Sequence, residues 1–193
     1  MIEFEKLRQI IQFEVEISDL DLDYFLSHWK KFSSKKKEII TACGEIEKYL
    51  YFVTSGIQRI YYLDEQNREA TIVFTYKNSF GGVLDSFLLQ NPSKYYFETL
   101  SHSEFLRISH SDLKMACKKI PQLEIFIQKG LSQTLSGILD RLVELQCFSS
   151  EEKFKKLLQR SPHILQLVPQ KYLANYLGID PTNFSKLMNQ VQF

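Results

Sequence analysis

The sequence predicts an α+β fold with three successive parts: an N-terminal antiparallel β-roll, one long helix and a C-terminal helix-turn-helix. Three observations predict this order. Short segments rich in β-branched and aromatic residues fill residues 38–108. A regular heptad pattern follows Pro121 without interruption by proline, and two short amphipathic segments joined by a glycine turn occupy residues 169–190.

The composition is that of a packed globular protein, because 44% of the 193 residues are hydrophobic and 13% are aromatic. No run of about 18 uncharged apolar residues occurs, and the first residues lack the basic-then-apolar order of a signal peptide. We therefore expect a cytoplasmic protein with no membrane partner. The three cysteines and four histidines are scattered, so no metal site, disulfide framework or iron-sulfur cofactor is expected.

The first 30 residues are expected to be helical. Ser18 and Asp21 form a capping pattern, and apolar residues then recur at helical spacing. Turn residues separate the strands that follow. These predicted strands are residues 38–41, 49–53, 57–63, 70–76, 95–100 and 104–108.

A long helix is predicted between Pro121 and a new capping box at Ser149 and Glu152. Its apolar residues step by 4, 3, 4 and 3, which is the heptad seam of a helix that pairs with another helix. The predicted dimer interface consists of Leu131, Leu135, Ile138, Leu142 and Leu145. A second apolar flank, Phe126, Leu139 and Val143, could face the helix's own β domain. The alternative is that both stripes are intramolecular core.

Residues 169–190 carry the features of two short helices that cross closely. Pro169 suits a helix start, Gly178 permits a left-handed turn, and Asp180 with Pro181 suits the start of the next helix. Ala174 is small enough for close crossing. An ordinary helical hairpin with no nucleic-acid partner remains the alternative.

The outer face of the second helix is polar, and its short side chains and one lysine suit contacts with phosphates and base edges. The predicted DNA-binding residues are Gln170, Thr182, Asn183, Ser185, Lys186 and Asn189. Residues 149–193 contain six Lys or Arg against three acidic residues, so this segment is +3 within a chain of net charge +1. Such a basic segment favours a polyanionic partner.

This order of parts resembles the Crp/Fnr superfamily of transcription regulators. Besides the heptad helix, the resemblance rests on Leu50–Gly56, Arg59, Arg68-Glu69, Phe80-Gly81, Ser149–Lys153 and Tyr172–Gly178. It implies a homodimer that reads an inverted-repeat operator in double-stranded DNA, with the β-roll as sensor and Pro181–Gln190 in the major groove. If the protein activates transcription, RNA polymerase is a further partner.

The resemblance divides the chain into three domains: a cyclic-nucleotide-binding-like β-roll at 1–120, a dimerisation helix at 121–148, and a DNA-binding domain at 149–193. Many relatives continue from the recognition helix into a wing hairpin. The sequence given ends at Phe193, so we expect a helix-turn-helix that lacks a full wing.

A glycine pair after a predicted strand could hold a phosphate, because glycines let the backbone approach an anion closely. The resemblance places the ligand-binding residues at Gly81, Gly82, Val83, Ser93 and Lys94. Relatives that bind cyclic AMP have glutamate where this chain has Gly82, and Arg-Ser where it has Ser93-Lys94. A lysine offers only a point charge to a phosphate, so binding of cyclic AMP in the usual way is not expected. A different small-molecule effector, or none, remains open.

The sequence therefore favours a dimeric DNA-binding regulator. The alternative is a ligand-binding or protein-interaction module with a degenerate helix-turn-helix. An enzyme is not expected, since the sequence contains no nucleophile elbow, metal motif or phosphate-binding loop.

Overall fold

The structure is a computed structural model that describes residues 2–190, with side chains described as far as residue 189. Within these residues the β-roll has eight strands: β1 (Lys30–Ser34), β2 (Ile39–Thr41), β3 (Tyr49–Ser55), β4 (Ile57–Leu63), β5 (Glu69–Tyr76), β6 (Phe80–Gly81), β7 (Tyr96–Thr99) and β8 (Ser103–Ser109). They form two antiparallel sheets, with strand orders β1-β8-β3-β6 and β2-β7-β4-β5. The predicted antiparallel roll is confirmed.

Helices precede and follow the roll. Those of the described residues are α1 (Ile2–Glu14), α2 (Asp19–Ser27), α3 (Leu84–Leu89), α4 (His110–Lys119), α5 (Gln122–Cys147), α6 (Ser150–Arg160), α7 (Ile164–Leu167), α8 (Gln170–Leu177) and α9 (Pro181–Gln190). The predicted succession of roll, long helix and helix-turn-helix is confirmed. No helix within residues 2–190 combines the length and apolar character needed to cross a lipid bilayer.

Serine side chains begin three of these helices, and two of them, Ser18 and Ser149, lie at the predicted capping patterns. Ser18, Ser109 and Ser149 each accept a hydrogen bond from the backbone N–H three residues later. At Ser149 the reciprocal bond is also present, because the Glu152 carboxylate accepts the backbone N–H of Ser149 at 2.8 Å. This full capping box separates α5 from α6 and defines the joint between the long helix and the C-terminal helices.

Strand β1, the two-residue strand β6 and helix α7 were not predicted. Strand β1 has the polar sequence KKFSS, in which Phe32 is the single apolar residue, so the alternation expected of a half-buried strand is absent. The strand forms because it pairs with β8 along the edge of the first sheet. Helix α7 is one turn long, which is too short for a periodic pattern.

Buried side chains form three clusters. The first packs α1, α2 and α4 against the first sheet, where Phe52 and Leu106 contribute. The second lies between the two sheets and is largely aromatic, with Tyr51 and Phe97 as members. The third combines the helix-turn-helix core with residues of the roll such as Phe74, so the C-terminal helices share a core with the second sheet.

The long helix α5 leaves the roll after its first turns. Leu123 is buried and Phe126 packs against the first cluster, but every residue from 128 to 140 is exposed. The assignment of one flank to the β domain is therefore right for Phe126 and wrong for Leu139 and Val143, which are both 53% exposed. In the single chain the roll leaves these two side chains uncovered. The five seam residues are 39–57% exposed.

Candidate functional site

The helix-turn-helix is closed by a small buried core between α8 and α9. Gly178 ends α8 with a positive φ of 60°, and Ala174, only 2% exposed, lies where the helices cross. The Asp180 carboxylate then starts α9 by accepting the backbone N–H groups of Thr182 at 2.9 Å and Asn183 at 3.2 Å. Gly178, Ala174 and Asp180 therefore have the roles inferred for them from the sequence.

The polar face of α9 points away from this core. All six predicted DNA-binding residues are exposed, whereas Phe184 and Leu187 are buried beneath them. Thr182, Ser185 and Asn189 recur at the spacing of one helix face. The structure thus brings five of the six side chains together on α9 and places Gln170 at the start of α8. Their contact with DNA stays a prediction.

The glycine turn of the roll lies over the buried carboxyl group of Glu47. Gly82 has φ of +104°, and an added Cβ would lie 3.1 Å from the Tyr49 carbonyl oxygen, so the turn requires glycine. The backbone N–H of Val83 donates to Oε2 of Glu47 at 3.3 Å. An internal carboxyl group therefore takes the amide that the turn would offer to an external anion.

Further hydrogen bonds hold Glu47 in this position, and the residue is only 1% exposed. The Thr41 hydroxyl donates to Oε2 at 2.7 Å, and the backbone N–H of Tyr49 donates to Oε1 at 3.3 Å. Nothing in the local sequence distinguishes Glu47 from a surface glutamate. Its partner Val83 is 36 residues away, so only the folded roll reveals the contact.

Ser93 and Lys94 occupy the loop before β7. The Ser93 hydroxyl is engaged locally: it donates to the Tyr95 carbonyl at 2.7 Å and accepts the Tyr95 N–H at 2.9 Å. The Ser93 backbone is bonded to Gly44 and Glu45, and the Lys94 side chain is exposed. The assignment of both residues to a ligand site stays a prediction.

Aromatic side chains fill the space between the two sheets. Tyr51, Phe97 and Phe105 are each at most 2% exposed, with ring centroids 5.4–6.5 Å apart. The Arg107 guanidinium lies 4.2 Å from the ring centroid of Tyr49 and closes one side of the group. The interior of the roll is thus built from packed rings around a buried acid.

A family comparison identifies this roll. The model of the cyclic nucleotide-binding domain family matches residues 31–119. Over these residues the roll is similar to a cyclic nucleotide-binding domain. A search of curated proteins found no match.

Solved structures resemble this roll together with the helices that follow it. FixK2 of Bradyrhizobium japonicum is 18% identical with a TM-score of 0.76, over 84% of this chain and 83% of that chain. The c-di-GMP-responsive regulator CLP of Xanthomonas campestris is 17% identical with a TM-score of 0.67, over 90% and 91%. The Thermus thermophilus catabolite activator protein is 19% identical with a TM-score of 0.57, over 90% and 83%. The chain shares its fold with these three solved structures.

The buried acid makes the stability of this roll depend on pH. Burial raises the pKa of the Glu47 carboxyl above its ordinary value of 4.5, and the hydrogen bonds from Thr41 and the backbone offset this only in part. The folded protein therefore holds this proton to a higher pH than the unfolded chain does. The stability cost of the buried charge is absent below pH 4.5, grows as the pH rises through the raised pKa, and is complete above it.

Replacing Glu47 with glutamine is expected to remove this contribution. As the pH rises from 4.5 through the raised pKa of Glu47, the free energy of unfolding of the parent should fall relative to that of Glu47→Gln, and the difference should level off above that pKa. Urea denaturation at a series of pH values measures it. Glu45→Gln, at an exposed position two residues away, serves as the control and should track the parent. Parallel curves for the parent and Glu47→Gln would contradict the assignment.

Proposed function

We propose that the protein is a DNA-binding transcription regulator that acts as a homodimer on an inverted-repeat operator. The observation that carries this proposal is the exposed polar face of α9 on a helix-turn-helix whose other face is buried. The proposed domains are the sensor roll at 1–120, the dimerisation helix at 121–148 and the DNA-binding domain at 149–193. The prediction of an incomplete wing concerns residues 191–193, which lie outside the described residues.

The proposed DNA face has weak charge and many hydrogen-bonding groups. Lys186 is the basic residue on the exposed face of α9. Two of the five other basic residues of 149–193 are paired: Arg160 with Glu144 at 2.9 Å and Lys155 with Glu151 at 2.6 Å. We infer that sequence is read by short polar side chains and that Lys186 supplies the main electrostatic contact of the helix.

Replacing Lys186 with alanine is expected to weaken operator binding by about 1 to 3 kcal/mol if the lysine contacts a base. If Lys186 contacts only phosphate, the variant should instead lose affinity by about the same factor for all DNA sequences. Fluorescence anisotropy with a duplex selected from a randomised library, and with a scrambled duplex, measures both. Lys156→Ala removes an exposed lysine from α6 and is the matched control. Equal binding by Lys186→Ala and the parent would remove Lys186 from the interface.

We propose that this regulator does not use cyclic AMP or cyclic GMP as its effector. The carboxyl group of Glu47 already accepts the Val83 amide, and an anionic phosphate placed about 4 Å from a carboxylate is repelled by about 1 to 4 kcal/mol. The packed rings of Tyr51, Phe97 and Phe105 occupy the adjoining space. Another small-molecule effector, acting elsewhere on the protein, is compatible with this geometry.

Calorimetric titration of the protein with cyclic AMP and cyclic GMP tests this second proposal. We expect no binding at micromolar concentrations, and no change in DNA affinity when either nucleotide is added. Micromolar binding would show that the Gly81-Gly82 turn can exchange the Glu47 carboxyl for a phosphate. The protein would then be a nucleotide-gated regulator.

A further inference from the structure

The helix-turn-helix is held against the roll by contacts of α8 with β5. Strand β5 is the last strand of its sheet, so one row of its backbone N–H and C=O groups faces away from β4. Helix α8 lies along this edge, and Ile57 and Phe74 of the roll belong to the same buried cluster as Leu173 and Leu177 of α8.

Asn175 pairs with this strand edge as a neighbouring strand would. Its Oδ1 accepts the backbone N–H of Thr71 at 2.6 Å, and its Nδ2 donates to the carbonyl oxygen of Glu69 at 2.6 Å. Residues two apart in a strand present these groups on the same side. A carboxamide offers one acceptor and one donor in the geometry of a peptide group, so Asn175 satisfies both with one side chain.

Two tyrosines on the same face of α8 hold it on either side of Asn175. The Arg59 guanidinium lies 3.9 Å from the ring centroid of Tyr172, and the Arg141 guanidinium lies 3.6 Å from that of Tyr176. Arg59 belongs to the roll and Arg141 to α5. Helix α8 therefore contacts the sheet and the long helix at three points, which fixes its direction as well as its distance.

We propose that Asn175 is a positioning residue that sets the placement of α9 relative to the long helix. This inference rests on the proposed function. Because α8 and α9 share a buried core, the two helices form a rigid unit. A contact that fixes the position of α8 therefore also fixes the position of α9. In a dimer built on α5, the two anchors fix the distance between the two recognition helices. That distance selects the spacing of the operator half-sites.

Amide hydrogen exchange tests the anchor without DNA. In the parent we expect slow exchange of the Thr71 N–H. In Asn175→Ala the exchange rate of this N–H should increase by about tenfold, because it loses the Asn175 side chain as its hydrogen-bond acceptor. Alanine is a strong helix former, so α8 itself should persist. The Phe52 amide, inside the first sheet, is the internal control. Fast exchange at Thr71 in the parent would overturn the anchor.

Binding to operators of altered spacing tests the positioning role. Half-sites recovered by selection are placed as inverted repeats, with the spacer lengthened or shortened by one or two base pairs. The parent is expected to bind one spacing at least tenfold more tightly than the others, while Asn175→Ala binds the whole series within about threefold. A structural defect unrelated to positioning would weaken all spacings alike and keep the preference.

Asn183→Ala is the matched control, because it removes an exposed asparagine from α9 of the same motif. It should lower affinity for every spacing by a common factor and leave Thr71 exchange unchanged. Retention of the parental spacing preference by Asn175→Ala would overturn the positioning role. A parent that binds no duplex of any spacing would instead overturn the proposed function, and the Thr71 measurement would distinguish the two failures.

Discussion

Replacing Ile138 with aspartate is expected to convert the proposed homodimer into monomers. Ile138 lies at the middle of the α5 seam, where it is 54% exposed in the single chain, and its neighbours Leu135 and Leu142 are similarly uncovered. Pairing of two such helices would bury all five seam residues of each chain. In the variant, two carboxylates would meet near the dimer axis in an apolar environment, and the penalty is several kcal/mol per ion.

Light scattering after size-exclusion chromatography measures the effect. The parent should have about twice the chain mass of 22.8 kDa and the variant the chain mass itself. Ser136→Asp is the matched control, since it places the same charge on an exposed position of the same helix, on the side opposite to Ile138. A monomeric parent, or an Ile138→Asp protein that stays dimeric, would refute the seam.

Replacing Arg59 with methionine is expected to cost about 3 to 5 kcal/mol of folding stability, because it leaves partly buried carboxylates without their counter-charge. The Arg59 side chain is 4% exposed. Its guanidinium donates to both carboxylate oxygens of Glu69, at 2.6 and 3.0 Å, and to Glu98 at 2.8 Å. Burial opposes the charge on Arg59, but the hydrogen bonds to Glu69 and Glu98 outweigh it and raise the pKa of the guanidinium above its ordinary value.

The same change removes the cation that lies over Tyr172, so it should also loosen the contact between α8 and the roll. Urea denaturation measures the stability loss. Arg68→Met is the control: its side chain is 79% exposed and pairs with Asp64, and exposed pairs contribute at most about 1 kcal/mol. A loss for Arg59→Met no larger than that for Arg68→Met would contradict the role assigned to the buried pair.

The local signals in the sequence predict much of this fold. Serine caps, the glycine turn at Gly178 and the heptad spacing depend on residues close together in the chain, and the structure has the helices they predict. Strand β1 was missed because its sequence is polar and carries no strand pattern of its own. The strand forms because it pairs with β8, which lies more than 60 residues later in the chain.

Two contacts of the candidate sites that the sequence did not predict also join residues far apart in the chain. Glu47 meets Val83 across 36 residues, and Asn175 meets Thr71 across 104. A glutamate in a loop, such as Glu47, and an asparagine in a helix, such as Asn175, are both ordinary for their local sequence. Their roles follow only from the closure of the roll and the docking of α8, which short-range patterns do not encode.

Binding of a selected inverted-repeat duplex by the parent protein, followed by anisotropy over a range of salt concentrations, tests the central claim most directly. We expect one dimer per duplex, and an affinity for the selected sequence that exceeds the scrambled one. The logarithm of the binding constant should fall linearly as the logarithm of the salt concentration rises. Absence of both specific and non-specific binding at low salt would contradict a DNA-binding regulator and favour a protein-interaction module on the same fold.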